Sequence, residues 1–82
     1  LSNYNISSSF KVFPNPASNE LKVNSNSEKN YISFYDITGK LLFSKEFNLS
    51  SISINISDLS KGIYILRIEN ELGLFNKKIL IN

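Results

Sequence analysis

Any chemistry in this chain has to come from a short set of side chains. Seven carboxylates (Glu20, Glu28, Asp36, Glu46, Asp58, Glu69 and Glu71), eight lysines, one arginine, four tyrosines, fourteen serines and Thr38 are the titratable and nucleophilic groups. Histidine and cysteine are absent, so the common nucleophile–base triads and dyads cannot be assembled. A Ser–Lys pair could be drawn, but no spacing singles one out. The carboxylates are scattered rather than paired for acid–base work, and each reads as a solvated strand or turn residue. Gly39, Gly62 and Gly73 stand far apart, which leaves no glycine-rich cradle for a phosphate. Calcium ligation would draw on Asp36 and Asp58, with Asn70 and Glu71 behind them, yet no alternating acidic loop is present. Turn capping through bonds to backbone N–H groups explains Asp36 and Asp58 more simply. The expectation is a domain that is not an enzyme and needs no cofactor or metal.

The charge balance points away from two further classes. Nine basic and seven acidic residues give a net charge of +2, spread singly apart from the Lys77-Lys78 pair. Nucleic-acid binders concentrate Lys and Arg on one face, and with Arg67 as the sole arginine, no nucleic-acid partner is expected. No apolar run approaches the ~18 residues of a membrane helix, so no membrane insertion is expected. Residues 1–9, Leu1 to Ser9, lack the basic flank and apolar stretch of a signal peptide and read as a linker. The chain does not begin with Met and reads as a piece of a longer protein. Without cysteine there is no disulfide framework. Twelve asparagines and fourteen serines give an uncharged polar surface that suits an exported protein.

The elements that would position these residues are strands. Ile52, Ile54 and Ile56 alternate with polar residues, as do Tyr64, Leu66 and Ile68 with their neighbours. Phe75, Lys77, Ile79 and Ile81 fall on one face of a last run, with Asn76, Lys78 and Leu80 on the other. Turn signals separate the runs: Pro14-Asn15-Pro16, Ser25 to Asn30, Asp36 to Gly39, Asn48 to Ser51, Asp58 to Gly62 and Asn70 to Gly73. Strands are predicted near 10–13, 20–24, 31–36, 41–47, 52–56, 62–69 and 74–81. Seven short strands with turns at this interval predict an all-β fold, a seven-stranded immunoglobulin-like antiparallel β-sandwich over residues 10–82. The predicted core is Phe10, Val12, Leu21, Val23, Ile32, Phe34, Leu42, Ile54, Ile56, Leu59, Tyr64, Leu66, Ile68, Ile79 and Ile81, with Leu59 tucked in from a single helical turn.

Four motifs follow one another in order. Phe13-Pro14-Asn15-Pro16-Ala17-Ser18-Asn19 precedes the strand Glu20 to Val23, and Ile32 to Leu42 carries Asp36-Ile37-Thr38-Gly39. Ile56 to Ile68 follows, with Leu59, Gly62 and Tyr64, and the chain closes on Lys77-Lys78-Ile79-Leu80-Ile81-Asn82. Together these closely resemble the type A C-terminal sorting domain of the type IX secretion system. The resemblance implies a non-catalytic secretion signal, covalently attached to an upstream cargo domain. The cargo would pass through the periplasm, cross the outer membrane by the type IX translocon, and meet a shuttle protein and a sortase. The sortase would cut in or before the 1–9 linker, leaving the cargo at the cell surface or in the medium.

Within the motifs, Pro14, Asn15 and Pro16 would shape the corner between the first two strands, and Asp36 with Gly39 a hairpin turn. Gly62 would allow a sharp bend into the strand whose Tyr64 packs inward. The closing strand is the expected recognition element: Lys77, Lys78, Ile79, Leu80, Ile81 and Asn82, with one face and an edge open for strand addition. The same lysines could merely guard that edge against aggregation. The rival reading is a surface adhesion or carbohydrate-binding sandwich, which would need an exposed aromatic platform drawn from Tyr4, Tyr31 and Tyr35. A passive spacer is a further alternative.

Overall fold

The computed structural model describes residues 10–25, 27–48 and 51–82. Over these the chain is all-β. Strands β1 (Phe10–Phe13), β2 (Glu20–Ser25), β3 (Lys29–Asp36), β4 (Leu41–Asn48), β5 (Ser51–Asn55), β6 (Gly62–Asn70) and β7 (Gly73–Ile81) form two antiparallel sheets. One runs β1-β2-β5 and the other β4-β3-β6-β7. The period-two runs become these strands because alternate residues then face one apolar layer between the sheets. Leu21, Val23, Ile32, Phe34, Ile56, Leu66, Ile68 and Ile79 are wholly or almost wholly buried in it. Phe34 sits at its centre, stacked on Phe43 with ring centroids 5.2 Å apart and on Tyr64 at 5.4 Å.

The expected core is largely the observed one, with instructive departures. Val12, Leu42 and Leu59 are only partly buried, whereas Phe47 and Ala17 are buried and were not expected. The β4 discrepancy has a local cause. A register shift between Phe34 and Tyr35 pairs Phe34 with Phe43 but Tyr35 with Leu41, so Leu42 is the extra residue of a bulge. The inward phase of β4 is therefore that of Phe43 and Phe47, not that of Leu42. Leu59 is held by a turn, its N–H donating to the Ile56 carbonyl at 3.0 Å, and not by a helix.

β3 begins at Lys29, within the stretch expected as a turn, because Asn30 is buried rather than exposed. The Asn30 amide donates to the Ser27 carbonyl at 2.9 Å, and its Oδ1 accepts from Ser25 Oγ at 2.7 Å and from Asn70 Nδ2 at 3.2 Å. A buried amide is tolerable only when bonded in this way.

Side-chain caps set the turns. Asp36 Oδ1 accepts from the Thr38 hydroxyl at 2.6 Å and from the N–H groups of Thr38 and Lys40 at 2.9 and 3.0 Å. Gly39, with φ of 92°, supplies the left-handed step that closes this hairpin. Asp58 makes no such cap among the described residues. In its turn Asn55 does so, its Oδ1 accepting from the Ser57 N–H at 2.9 Å and from Ser57 Oγ at 2.7 Å. Gly62, with φ of 151°, opens β6 as expected. Tyr64 packs inward, and its hydroxyl donates to the Ser60 carbonyl at 2.7 Å, the kind of corner bond that Greek-key sandwiches use.

The Asp36 cap has a pH signature. The Thr38 hydroxyl first, then the Lys40 and Thr38 N–H groups and the Lys40 charge, hold this carboxyl below its ordinary value. A lowered folded-state pKa means stability that is present above the unfolded pKa and lost as pH falls through the folded one. In urea melts, Asp36→Asn should therefore be less stable than the parent near neutral pH. The difference should shrink as the pH is taken below about 4.

Candidate recognition surface

β7 is an edge strand, paired with β6 from Gly62↔Ile81 to Asn70↔Gly73. Its two faces divide the six residues expected for recognition. Ile79 and Ile81 are core, while Lys77, Lys78, Leu80 and Asn82 are exposed. Lys77 shares the inward phase with Ile79, yet its ammonium stays in water because the strand lies at the rim of the sheet. Lys78 and Leu80 stand on the outer face. Leu80 is opposite the exposed Ile63, and Lys78 heads a row that continues through Ile65, Tyr35 and Leu41.

The outer edge of β7 is not open along its whole length, contrary to the sequence expectation. The segment after β1 runs beside it as a strap. Asn15 Nδ2 donates to the Lys78 carbonyl at 3.1 Å, and its Oδ1 accepts the Leu80 N–H at 3.1 Å. Ala17 then donates its N–H to the Leu80 carbonyl and accepts from the Asn82 N–H, both at 2.8 Å, in a parallel bridge to Ile81. The Pro14-Asn15-Pro16 corner thus does more than turn the chain between β1 and β2. The two prolines, both on cis peptide bonds, have no N–H of their own to satisfy. Asn15 supplies, from a side chain, the donor and acceptor that a neighbouring strand would have supplied from its backbone. Ala17 is buried where strap and strand meet, 1% exposed. No sequence signal marks this contact, whose partners lie 63 and 65 residues apart.

Of the aromatic platform in the adhesion reading, two members fall among the described residues. Tyr31 and Tyr35 share the outer face of β3, but the Arg67 guanidinium lies over the Tyr35 ring, 5.5 Å from its centroid. The Tyr31 hydroxyl donates to Ser44 Oγ at 3.2 Å. Tyr4 lies outside the described residues, as does the whole 1–9 linker.

The last strand of this small two-sheet β-domain thus carries an exposed Lys pair and is strapped by the domain's own proline corner. From residue 11 to 82 the sequence matches the family described as "Secretion system C-terminal sorting domain", and the chain belongs to this family of type IX sorting domains. It is also similar to an endo-acting ulvan lyase of Formosa agariphila, 28% identical over 79 residues. That match covers 93% of this chain but 15% of the lyase, so the chain spans a small part of that relative's length. As a sorting domain it is a C-terminal signal carried by a secreted or cell-surface cargo, and domains of this family are in general non-catalytic.

Proposed function

We propose that this domain folds in the periplasm and is read there by the type IX machinery as the address of an upstream cargo. The domain guides the cargo through the outer-membrane translocon, a shuttle protein collects it, and a sortase cuts within or before residues 1–9. The cargo is then at the cell surface or in the medium. The ulvan lyase relative supports a cargo of the secreted-enzyme kind, with the catalytic residues in the upstream domain. Lys77, Lys78 and Leu80 are the residues offered to the machinery, and Ile79 and Ile81 hold them in place.

The observation that carries this reading is that the strand which buries Ile79 and Ile81 leaves Lys78 and Leu80 exposed on its outer face and Lys77 exposed at the rim. Lysines that only guarded the edge against aggregation would not need an exposed leucine beside them. Loss of a charge that is paired across an interface costs about 2–5 kcal/mol of binding. A Lys77→Ala/Lys78→Ala chain fused behind a periplasmic reporter should therefore be exported at least about tenfold less than the parent fusion. Its circular dichroism and urea midpoint should stay close to the parent's, because both side chains are exposed. Export at the parental level by this folded variant would remove the lysines from the recognition site.

A further inference from the structure

Among the described residues nothing covers the first half of the β7 edge, and a groove opens there. β1 and β7 are both edge strands and diverge from the strap, enclosing about 620 Å³. Its apolar lining includes Phe10 and Phe75, whose ring centroids are 5.6 Å apart. Leu74 and Asn76 form the β7 wall, and Lys11 and Lys77 supply the charge; no carboxylate lines it.

Among the described residues, the backbone of the β7 wall is unpaired on the groove side. In an antiparallel ladder, alternate residues turn their N–H and C=O groups away from the partner strand. Leu80 turns both of its groups to the strap, and Lys78 its carbonyl. By the same alternation, Asn76 and Leu74 turn theirs to the groove, together with the Lys78 N–H. Among the described residues no hydrogen-bond partner meets these five groups. This edge is therefore a template for one more strand, stopped at its far end by Asn15.

We infer that the groove takes an extended, acidic segment of a partner protein, which adds to the Leu74–Lys78 edge as a strand of about five residues. Alternate apolar side chains of that segment would cover Phe10 and Phe75, and its carboxylates would meet Lys11 and Lys77. A second copy of this chain is a poorer occupant, since its own β7 edge would bring lysines and no carboxylate to a groove already lined by Lys11 and Lys77. The inference rests on the export-address reading and adds the chemistry of the segment that the address binds.

The test is a titration of isotope-labelled chain with two blocked peptides, one of alternating Val and Glu, the other of alternating Val and Lys. The acidic peptide should shift the amides of Leu74, Asn76 and Lys78 and slow their hydrogen exchange. It should bind at least tenfold more tightly than the basic peptide, and more weakly as salt is added. Asn76→Pro should reduce this binding at least tenfold, because it deletes an N–H that faces the groove and not β6. Asn76→Ala should bind as the parent does. If the proline variant does not fold, Lys11→Glu/Lys77→Glu serves instead and should reverse the preference between the two peptides. No binding at millimolar peptide, equal binding of both, or shifts outside the groove would overturn the proposal. So would protection of the same amides by concentration-dependent dimerisation, which would assign the edge to a second copy. None of these failures touches the export reading, which is decided by secretion of a fused reporter.

Discussion

Phe34→Ala is expected to leave the domain largely unfolded at 37 °C. Phe34 is fully buried and forms the centre of a three-ring stack with Phe43 and Tyr64, bridging β3 to β4 and β6. Truncating a buried Phe removes its transfer free energy and leaves a cavity, at a cost of about 3–5 kcal/mol. A small single-core domain has only about 3–5 kcal/mol to lose. A urea melt followed by far-UV circular dichroism should show the variant without a folded baseline, or with a midpoint close to zero urea. A loss below about 1 kcal/mol would mean that the stack is not the centre of the core. If export reads the folded surface, the same variant should also stay behind in the periplasm.

Removing the closing strand should be as damaging, and for a reason that separates folding from recognition. Deletion of Lys77 to Asn82 takes away Ile79 and Ile81, which are 0% and 2% exposed, more than half of the β7 ladder, and every partner of the strap. Each isoleucine alone carries about 2–5 kcal/mol, by the cost of cutting such side chains to Ala. The truncated chain should therefore be unfolded, with collapsed amide dispersion in an NMR spectrum. Loss of export on truncation would follow from loss of the fold whether or not the lysines are recognised. The double-alanine variant, which leaves the core untouched, is the informative one. A truncated chain that kept native dispersion would show that β7 is an appendage rather than a wall of the core.

Most of the architecture was legible because strands write their burial with a period of two. Leu21 and Val23, Tyr64, Leu66 and Ile68, and Ile79 and Ile81 each announce an inward face, and each is buried. The pattern fails where the backbone departs from regularity. The bulge after Phe34 moves β4 by one residue, which makes Phe47 core and leaves Leu42 half out. Ala17 is small and sits among turn residues, so nothing in its neighbourhood suggests a buried contact. Asn30 reads as a turn residue because a lone amide is usually exposed, and only its bonds to Ser25, Ser27 and Asn70 explain its burial.

The candidate site was half legible for the same reasons. Alternation along β7 separates the buried Ile79 and Ile81 from the exposed Lys78, Leu80 and Asn82. Lys77 shares the phase of the buried pair, and only its place at the rim leaves it in water. The edge itself could not be read from the sequence. Whether a strand's backbone is free depends on what lies beside it, and here that neighbour is Asn15 to Ala17, from the other end of the chain. The motif that seemed to shape only a corner also pins the closing strand. Among the described residues it leaves open the stretch from Leu74 to Lys78.

If this folded domain is a portable export address, it should carry any folded passenger across the outer membrane. Residues 1–82, placed behind a periplasmic reporter in a host with an active type IX system, test it most directly. Most of the reporter should reach the cell surface or the medium, while the reporter without the domain stays in the periplasm. Reporter that remains periplasmic although the attached domain is folded would contradict it.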